Sequence, residues 1–238
     1  KHIYRAGNLA LERINFLTER NFLKGTLLDV GAGGGEFTYL SGRLGFNSEG
    51  IEPNVGYSNY ARQEYGINIQ TGQLADVIKK FDLITMFHAL EHIPNPVKTF
   101  KLLYQLLNKD GILFIEVPNI ETKDASPHNI YFKAHIHYFS ASTLTSAASN
   151  YFEKIDEDIG SNLRIIFKRK DDVEDNLAFP SSEQVYQTAT RLQKKGWFEY
   201  LIYGRGCKKL PIRIKQLIIE SRINYESGIK VLNDILRD

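Results

Sequence analysis

The stretch that decides the fold is LLDVGAGGGEF, residues 27–37. An apolar run carrying one acid, Asp29, ends at three alternating glycines, Gly31, Gly33 and Gly35, and a helical pattern starts at Glu36. Glycine in such a loop lets the backbone turn sharply and come close to a ligand with no Cβ in the way. In an open α/β sheet ligands bind beyond the carboxyl ends of the strands, which is where this loop falls.

Working outward, β-type runs recur at 47–51, 67–70, 81–87 and 111–117, separated by helical stretches. Residues 8–22 carry Leu9, Leu11, Ile14, Leu17 and Phe22 at roughly helical spacing until Gly25 breaks the pattern. In 97–107, Val97, Phe100, Leu103 and Leu107 repeat in the same way, and NKDG stops them. Strands alternating with helices predict a parallel sheet covered on both faces. YFEKIDEDIG and NLRIIFKRK, joined by a short Gly-Ser-Asn link, read instead as a hairpin. The expected fold is therefore α/β: a Rossmann-like, seven-stranded, mostly parallel sheet with helices on both faces, an antiparallel last strand and a C-terminal helical appendage. Three parts are expected: an N-terminal helix over 1–24, the sheet domain over 25–170, and a helical extension over 171–238 that opens on the polar linker 170–182.

The loop departs from the dinucleotide fingerprint G-x-G-x-x-G, because position 36 is Glu and the glycines fall as G-x-G-x-G. Pyrophosphate favours helix N-terminal amides and is repelled by nearby carboxylates. Asp29 and Glu36 flank this loop, so a ligand carrying an ammonium and a sulfonium suits it better. Glu52, in EGIEPN at the end of the second strand, is placed to accept hydrogen bonds from both ribose hydroxyls of an adenosine.

Taken in order, LLDVGAGGGEF, GIEPN, IQTGQL, FDLITMFHALEHIPNP and LNKDGILFIEVPN make residues 24–160 resemble the class I S-adenosylmethionine-dependent methyltransferases. Within them the chain looks most like the branch holding ubiquinone-biosynthesis O-methyltransferases and bacterial sugar or polysaccharide methyltransferases. The resemblance implies S-adenosyl-L-methionine as cofactor. It implies that Asp29, Gly31, Ala32, Gly33 and Gly35 line its methionine and ribose part, and that Glu52 and Pro53 meet the ribose. Gln73, with Leu74 against the ring, would stand where relatives carry an acid for the adenine. Phe87 and His88 would lie beside the methyl group.

HALEH, residues 88–92, also matches the H-x-x-E-H pattern of a zinc protease. That chemistry needs both histidines on one helix face, whereas FDLITMF leads in as a strand and Pro94 and Pro96 suit a later helix start. No metal ligands are predicted. If the acceptor is a hydroxyl it must lose a proton, and the candidate bases are His135 first and His137 second, both in SPHNIYFKAHIHYFS, with His92 as a further candidate. The D/N-P-P-Y/F tetrad of adenine N-methylation is absent, so no nucleic acid is expected, and the acceptor is expected to be a small molecule, first a hydroxyl of a sugar or glycan precursor. The alternatives are an NAD-dependent oxidoreductase and a non-catalytic cofactor-binding protein.

With 238 residues, 42% hydrophobic and 24% charged, the composition is that of an ordinary globular chain. One cysteine, Cys207, excludes an intramolecular disulfide and points to a reducing cytoplasm. No transmembrane or signal segment is expected, and the start at Lys1 predicts that a native start precedes it. The net charge of +2 hides a basic tail. An amphipathic stripe of Ile218, Tyr225, Ile229, Leu232 and Leu236 could pack on the domain, close over the site or form a homodimer contact.

Overall fold

The computed structural model describes residues 1–22, 25–173, 177–223 and 225–237. Residues 23 and 24, at the end of the expected N-terminal segment, and 174–176, within the expected linker, lie outside the described residues. In chain order the elements are α1 (His2–Glu19), β1 (Thr26–Val30), α2 (Glu36–Arg43), β2 (Asn47–Glu52), α3 (Val55–Tyr65), β3 (Ile69–Thr71), β4 (Phe81–Phe87), α4 (Pro96–Leu106), β5 (Leu107–Pro118), α5 (Ala141–Ala148), β6 (Phe152–Ile159), β7 (Asn162–Arg169), α6 (Ser182–Gln193), α7 (Trp197–Ile202), α8 (Lys209–Ser221) and α9 (Gly228–Ile235). Among the described residues, three short 3-10 turns, Leu74–Asp76, Leu90–His92 and Pro127–Asn129, punctuate the loops.

The strands form one seven-stranded sheet in the order β3-β2-β1-β4-β5-β7-β6. β1 runs parallel to β2 and to β4, and β2 parallel to β3. β6 and β7 pair antiparallel, with a bulge between Lys154 and Asp156. The α/β sheet with an antiparallel end is thus as expected, but the last strand is not the edge. β7 is inserted between β5 and β6, and its burial shows why: Leu163, Ile165, Ile166 and Phe167 are fully buried, whereas most of β6 is exposed. A strand apolar on both faces belongs inside a sheet.

Two further details differ from the sequence expectation. β5 begins at Leu107, so NKDG is already part of the strand, with Asp110 in the left-handed region at φ 61°. The hairpin link is Gly160 and Ser161, since Asn162 opens β7. Among the described residues, no helix is long and apolar enough to cross a membrane.

By contact density the chain divides into two compact units. The first holds Lys1–Met86, Gln105–Leu113 and Gln216–Asp238; the second holds Phe87–Tyr104 and Phe114–Lys215. In the first, Leu27, Leu28, Ile51, Leu83, Ile84 and Met86 form the sheet core. α1 adds Ile14 and Leu17, and α9 adds Val231 and Leu232. α3 is defined by its ends: Asn54 caps it by accepting from the Tyr57 N–H, and Gly66 closes it at φ 65°. In the second, Phe100, Phe152 and Phe167 pack ring against ring.

Asp82 ties three strands of the first unit together. Its Oδ2 accepts from the Thr26 N–H at 2.8 Å and the Thr26 hydroxyl at 2.9 Å, and its Oδ1 accepts from the Asn108 amide at 2.7 Å. These bonds hold its carboxyl below the usual carboxylate range. Asp82→Ala is expected to cost about 1–3 kcal/mol in urea unfolding, because partly buried donors on β1 and β5 lose their acceptor. An unchanged unfolding midpoint would remove Asp82 from the sheet's supports.

Candidate functional site

The first unit assembles the glycine loop. Gly31 and Ala32 donate their N–H groups to the Ile51 carbonyl, at 2.9 and 3.2 Å, which fastens the loop to the end of β2. Gly31, Gly33 and Gly35 all have positive φ, at 74°, 54° and 87°. Their reasons for being glycine differ. A Cβ on Gly35 would come within 2.7 Å of Ile67 and 2.9 Å of Ala61, so it is packed shut. A Cβ on Gly33 would meet nothing within 4 Å, so the backbone there borders open space.

Glu52 joins that open edge from the end of β2. Its Oε2 accepts from the Gly33 N–H at 2.9 Å and its Oε1 from the Asn54 N–H at 2.8 Å, with only 7% of the residue exposed. Each carboxylate oxygen has a second lone pair, so both remain able to accept from a vicinal diol. Asp29 is buried below the loop and accepts from the Thr85 hydroxyl at 2.8 Å and the Thr38 hydroxyl at 3.4 Å. Burial pushes its carboxyl up to about 6, against the opposing pull of the Thr85 bond and of Arg13. Asp29 therefore braces β1 against β4 and α2. Pro53 is exposed, and Gln73 and Leu74 lie at the 3-10 turn after β3.

The sequence reading missed Asp76 in this group. Its Oδ2 accepts from the Gln73 N–H at 2.7 Å and fixes the turn. The signal was present in QLAD, an acid three residues after the turn's start.

The second unit gathers the histidines. His88, at the end of β4, sits at φ 51°, and HALEH continues as a 3-10 turn over Leu90–His92. The two histidines of the pentapeptide are therefore not on a helix, which rules out the zinc-protease geometry. His88 Nε2 lies 3.1 Å from Glu116 Oε1 on β5, and its Nδ1 lies 3.4 Å from Glu91 Oε1. Arg164 of β7 donates to Glu116 Oε2 at 2.8 Å, and Asn162 donates to Oε1 at 3.2 Å. Burial disfavours the imidazolium of His88, but the Glu116 and Glu91 carboxylates outweigh it and raise the pKa to about 9.

His135 has the opposite bias. It packs on Phe132 and edge-on against His92, with ring centroids 5.0 and 4.9 Å apart. Burial lowers its pKa, His92 and His88 push the same way, and Glu91, 3.9 Å from its Nε2, opposes them. His135 is accordingly neutral at pH 7 and His88 charged. His92 donates through Nδ1 to the Ala134 carbonyl at 2.9 Å, while His137 Nε2 lies 3.3 Å from the Pro94 carbonyl. The Glu91 carbonyl accepts from the N–H groups of Ile136 and His137, so the 3-10 turn and the histidine loop are laced together. Phe87 packs edge-on against Phe114.

Glu91 itself is 1% exposed, and its carboxylate makes no well-aligned hydrogen bond but faces His88 Nδ1 at 3.4 Å and His135 Nε2 at 3.9 Å. Glu91, His92 and His135 each offer a ligand atom within 4.8 Å of the others, a donor set a divalent cation accepts. Spacing in the sequence did not bring these three together. Nor did it show Asn162 and Arg164, although two polar residues on one face of an otherwise apolar strand were the available signal.

The methyltransferase domain family matches residues 2–151 of the chain. Among curated proteins, the ubiquinone biosynthesis O-methyltransferase of Glaesserella parasuis is 34% identical over 136 residues, 52% of this chain and 57% of that protein. The enzyme of the same name from Actinobacillus pleuropneumoniae is 35% identical over 106 residues, 39% of this chain and 45% of that one. The chain thus spans about half the length of the curated relatives it matches. Among solved structures, magnesium protoporphyrin IX methyltransferase from Synechocystis PCC 6803 with bound SAM aligns at TM-score 0.54 and 15% identity, covering 69% of this chain and 80% of that one. A SAM-dependent methyltransferase from Archaeoglobus fulgidus aligns at TM-score 0.55 and 20% identity, covering 67% and 93%. These structures share the fold.

The raised His88 pKa has a consequence for stability. Relative to an unfolded value of 6.5, it contributes stability that is present below that pH and lost as pH rises through about 9. Urea unfolding between pH 6 and 10 is expected to show this decline, and His88→Asn, which tolerates the left-handed backbone, is expected to flatten it. A slope unchanged in that variant contradicts the charge assigned to His88.

Proposed function

The chain belongs to the methyltransferase domain family, and from that premise we propose that it is a class I S-adenosyl-L-methionine-dependent methyltransferase acting on a hydroxyl of a small molecule. The observation that carries the reading is the Glu52 carboxylate, fixed by Gly33 and Asn54 beside the open edge of a left-handed glycine loop. The loop suits S-adenosylmethionine better than a dinucleotide, because Glu36 stands where the third fingerprint glycine would be. The oxidoreductase alternative has no such support.

When bound, S-adenosylmethionine supplies a methyl group on a sulfonium, ready for in-line displacement. On the protein side, Glu52 accepts the ribose hydroxyls, and Gly31, Ala32, Gly33 and Gly35 give the ligand close access to backbone. Asp29 holds the loop from beneath, and its carboxylate favours the cationic amino acid end. Pro53 borders the ribose position, and Gln73 and Leu74 take the adenine. The sequence motif, and not a distance, carries the assignment of Phe87 and His88 to the methyl end.

For the acceptor, His135 is the base. It is neutral at pH 7, and Glu91 lies 3.9 Å away to stabilise the imidazolium that forms when it takes the hydroxyl proton. His88 is already protonated and is unsuited to that role. His92 orients His135, and His137 holds the loop against Pro94. Exposed Tyr131 and Phe132 offer flat apolar faces beside the base, which suit a sugar ring or a phenol. A sugar or glycan precursor remains the first acceptor to test. The curated relatives named as ubiquinone O-methyltransferases favour oxygen as the methylated atom. The single exposed thiol, Cys207, fits a reducing cytoplasm.

Glu52→Ala is expected to weaken binding of S-adenosylhomocysteine by about 1–3 kcal/mol, measured by calorimetry on the folded variant. Unchanged affinity removes Glu52 from the cofactor site. His135→Ala is expected to lower turnover of a hydroxyl acceptor about 100-fold or more while leaving cofactor affinity intact. Equal loss of both makes His135 a structural residue.

A further inference from the structure

α7 and α8 carry a surface that the methyltransferase reading does not use. On α8, Leu210, Ile214, Leu217 and Ile218 recur at i, i+4, i+7 and i+8 and so share one face of the helix. All four are exposed, by 44% to 70%. On the same helix Lys209 and Arg213 flank this stripe on one side, and Lys215 on the other. α7, just before it, exposes Trp197, Phe198 and Ile202, and Tyr203 follows, 66% exposed. The two elements are tied: the Gly206 N–H donates to the Tyr200 carbonyl at 3.0 Å, and the Lys209 ammonium lies 4.8 Å over the Tyr200 ring.

Charge on this segment is one-sided. Arg205, Lys208, Lys209, Arg213, Lys215 and Arg222 all fall between residues 205 and 222, where the only acid is Glu220. Glu220 is itself buried, at 1% exposure, and bonded to Arg5 at 2.7 Å. Off the helix, Asp124 accepts from Arg205 at 2.6 Å and lies 3.9 Å from the Lys209 ammonium, so the six cations are met by Asp124 as well as Glu220 and the segment keeps a positive excess.

We propose that α7 and α8 form an interfacial anchor that lies in the plane of an anionic lipid bilayer. An aliphatic stripe bordered by lysine and arginine, with aromatic rings nearby, lets the apolar side chains enter the acyl boundary while the cations meet lipid phosphates. With 13 residues, α8 is too short to span the bilayer, so the contact is peripheral. A second copy of the chain is the poorer occupant, because a two-fold contact through this face would set the flanking cations against their own images. The inference rests on this surface and is independent of the acceptor proposed above.

The test is co-sedimentation of the purified chain with vesicles of phosphatidylcholine alone and of phosphatidylcholine mixed with phosphatidylglycerol. Binding to the mixed vesicles is expected to be at least about tenfold tighter and to weaken as salt is raised. Leu210→Glu with Ile214→Glu is expected to abolish it while S-adenosylhomocysteine binding is unchanged. Equal sedimentation with both vesicle types, no effect of salt, or full binding by the double variant each overturns the proposal. So does a concentration-dependent dimer that the double variant dissolves while vesicles bind neither protein, which would give the face to a second copy. Preferential binding of a DNA duplex over the mixed vesicles would give it to nucleic acid and overturn it equally. The lipid and salt comparisons use the unaltered chain, so they decide the matter even if the double variant misfolds.

Discussion

The bond from the Gly33 N–H to the Glu52 carboxylate is the constraint on which the glycine loop depends. It joins the turn after β1 to the end of β2, the neighbouring strand in the parallel sheet. A parallel pair places both carboxyl ends at one edge, so the sheet's topology brings the two residues together. The backbone then has to turn with three positive φ angles, which selects glycine. Asp29 completes the arrangement from below. A buried carboxylate between two hydroxyls is costly to ionise, and its raised pKa is the sign of that cost. Buried in this way, Asp29 braces the loop from below, and Glu52, bonded to the loop's backbone, keeps lone pairs for a ligand.

The second unit solves a different problem with the same materials. Two histidines separated in the chain are driven to opposite protonation states by which carboxylates they face. His88 has two, Glu116 and Glu91, and holds its proton; His135 has one at longer range and a histidine neighbour, and gives its proton up. Glu116 can be fully buried because Arg164 and Asn162 satisfy it. Pushing apart the pKa values of neighbouring groups is how a protein assigns acid and base roles near neutral pH.

How much of this was legible in the sequence follows from the range of each interaction. The sheet, its alternating helices and the terminal hairpin are written in local periodicity and turn residues, and the structure has them. The placement of β7 between β5 and β6 was not legible, because neighbour order is set by which strand is apolar on both faces once the sheet exists. Gly31, Gly33, Gly35 and Glu52 stand out because each sits at a strand end with a residue type that only a special backbone or ligand requires. Asn162 and Arg164 did not stand out, since their meaning depends on Glu116, a partner more than forty residues away. Likewise HALEH read alone suggested a metal helix, and only the strand leading into it, followed by a 3-10 turn, shows that its histidines serve separate purposes.

The glycine loop and Glu52 are proposed to hold S-adenosylmethionine. The most direct measurement is calorimetry of the purified chain with S-adenosylmethionine, S-adenosylhomocysteine and, as control, NAD. Micromolar binding of the first two and none of NAD is expected. Binding of NAD alone would contradict that proposal.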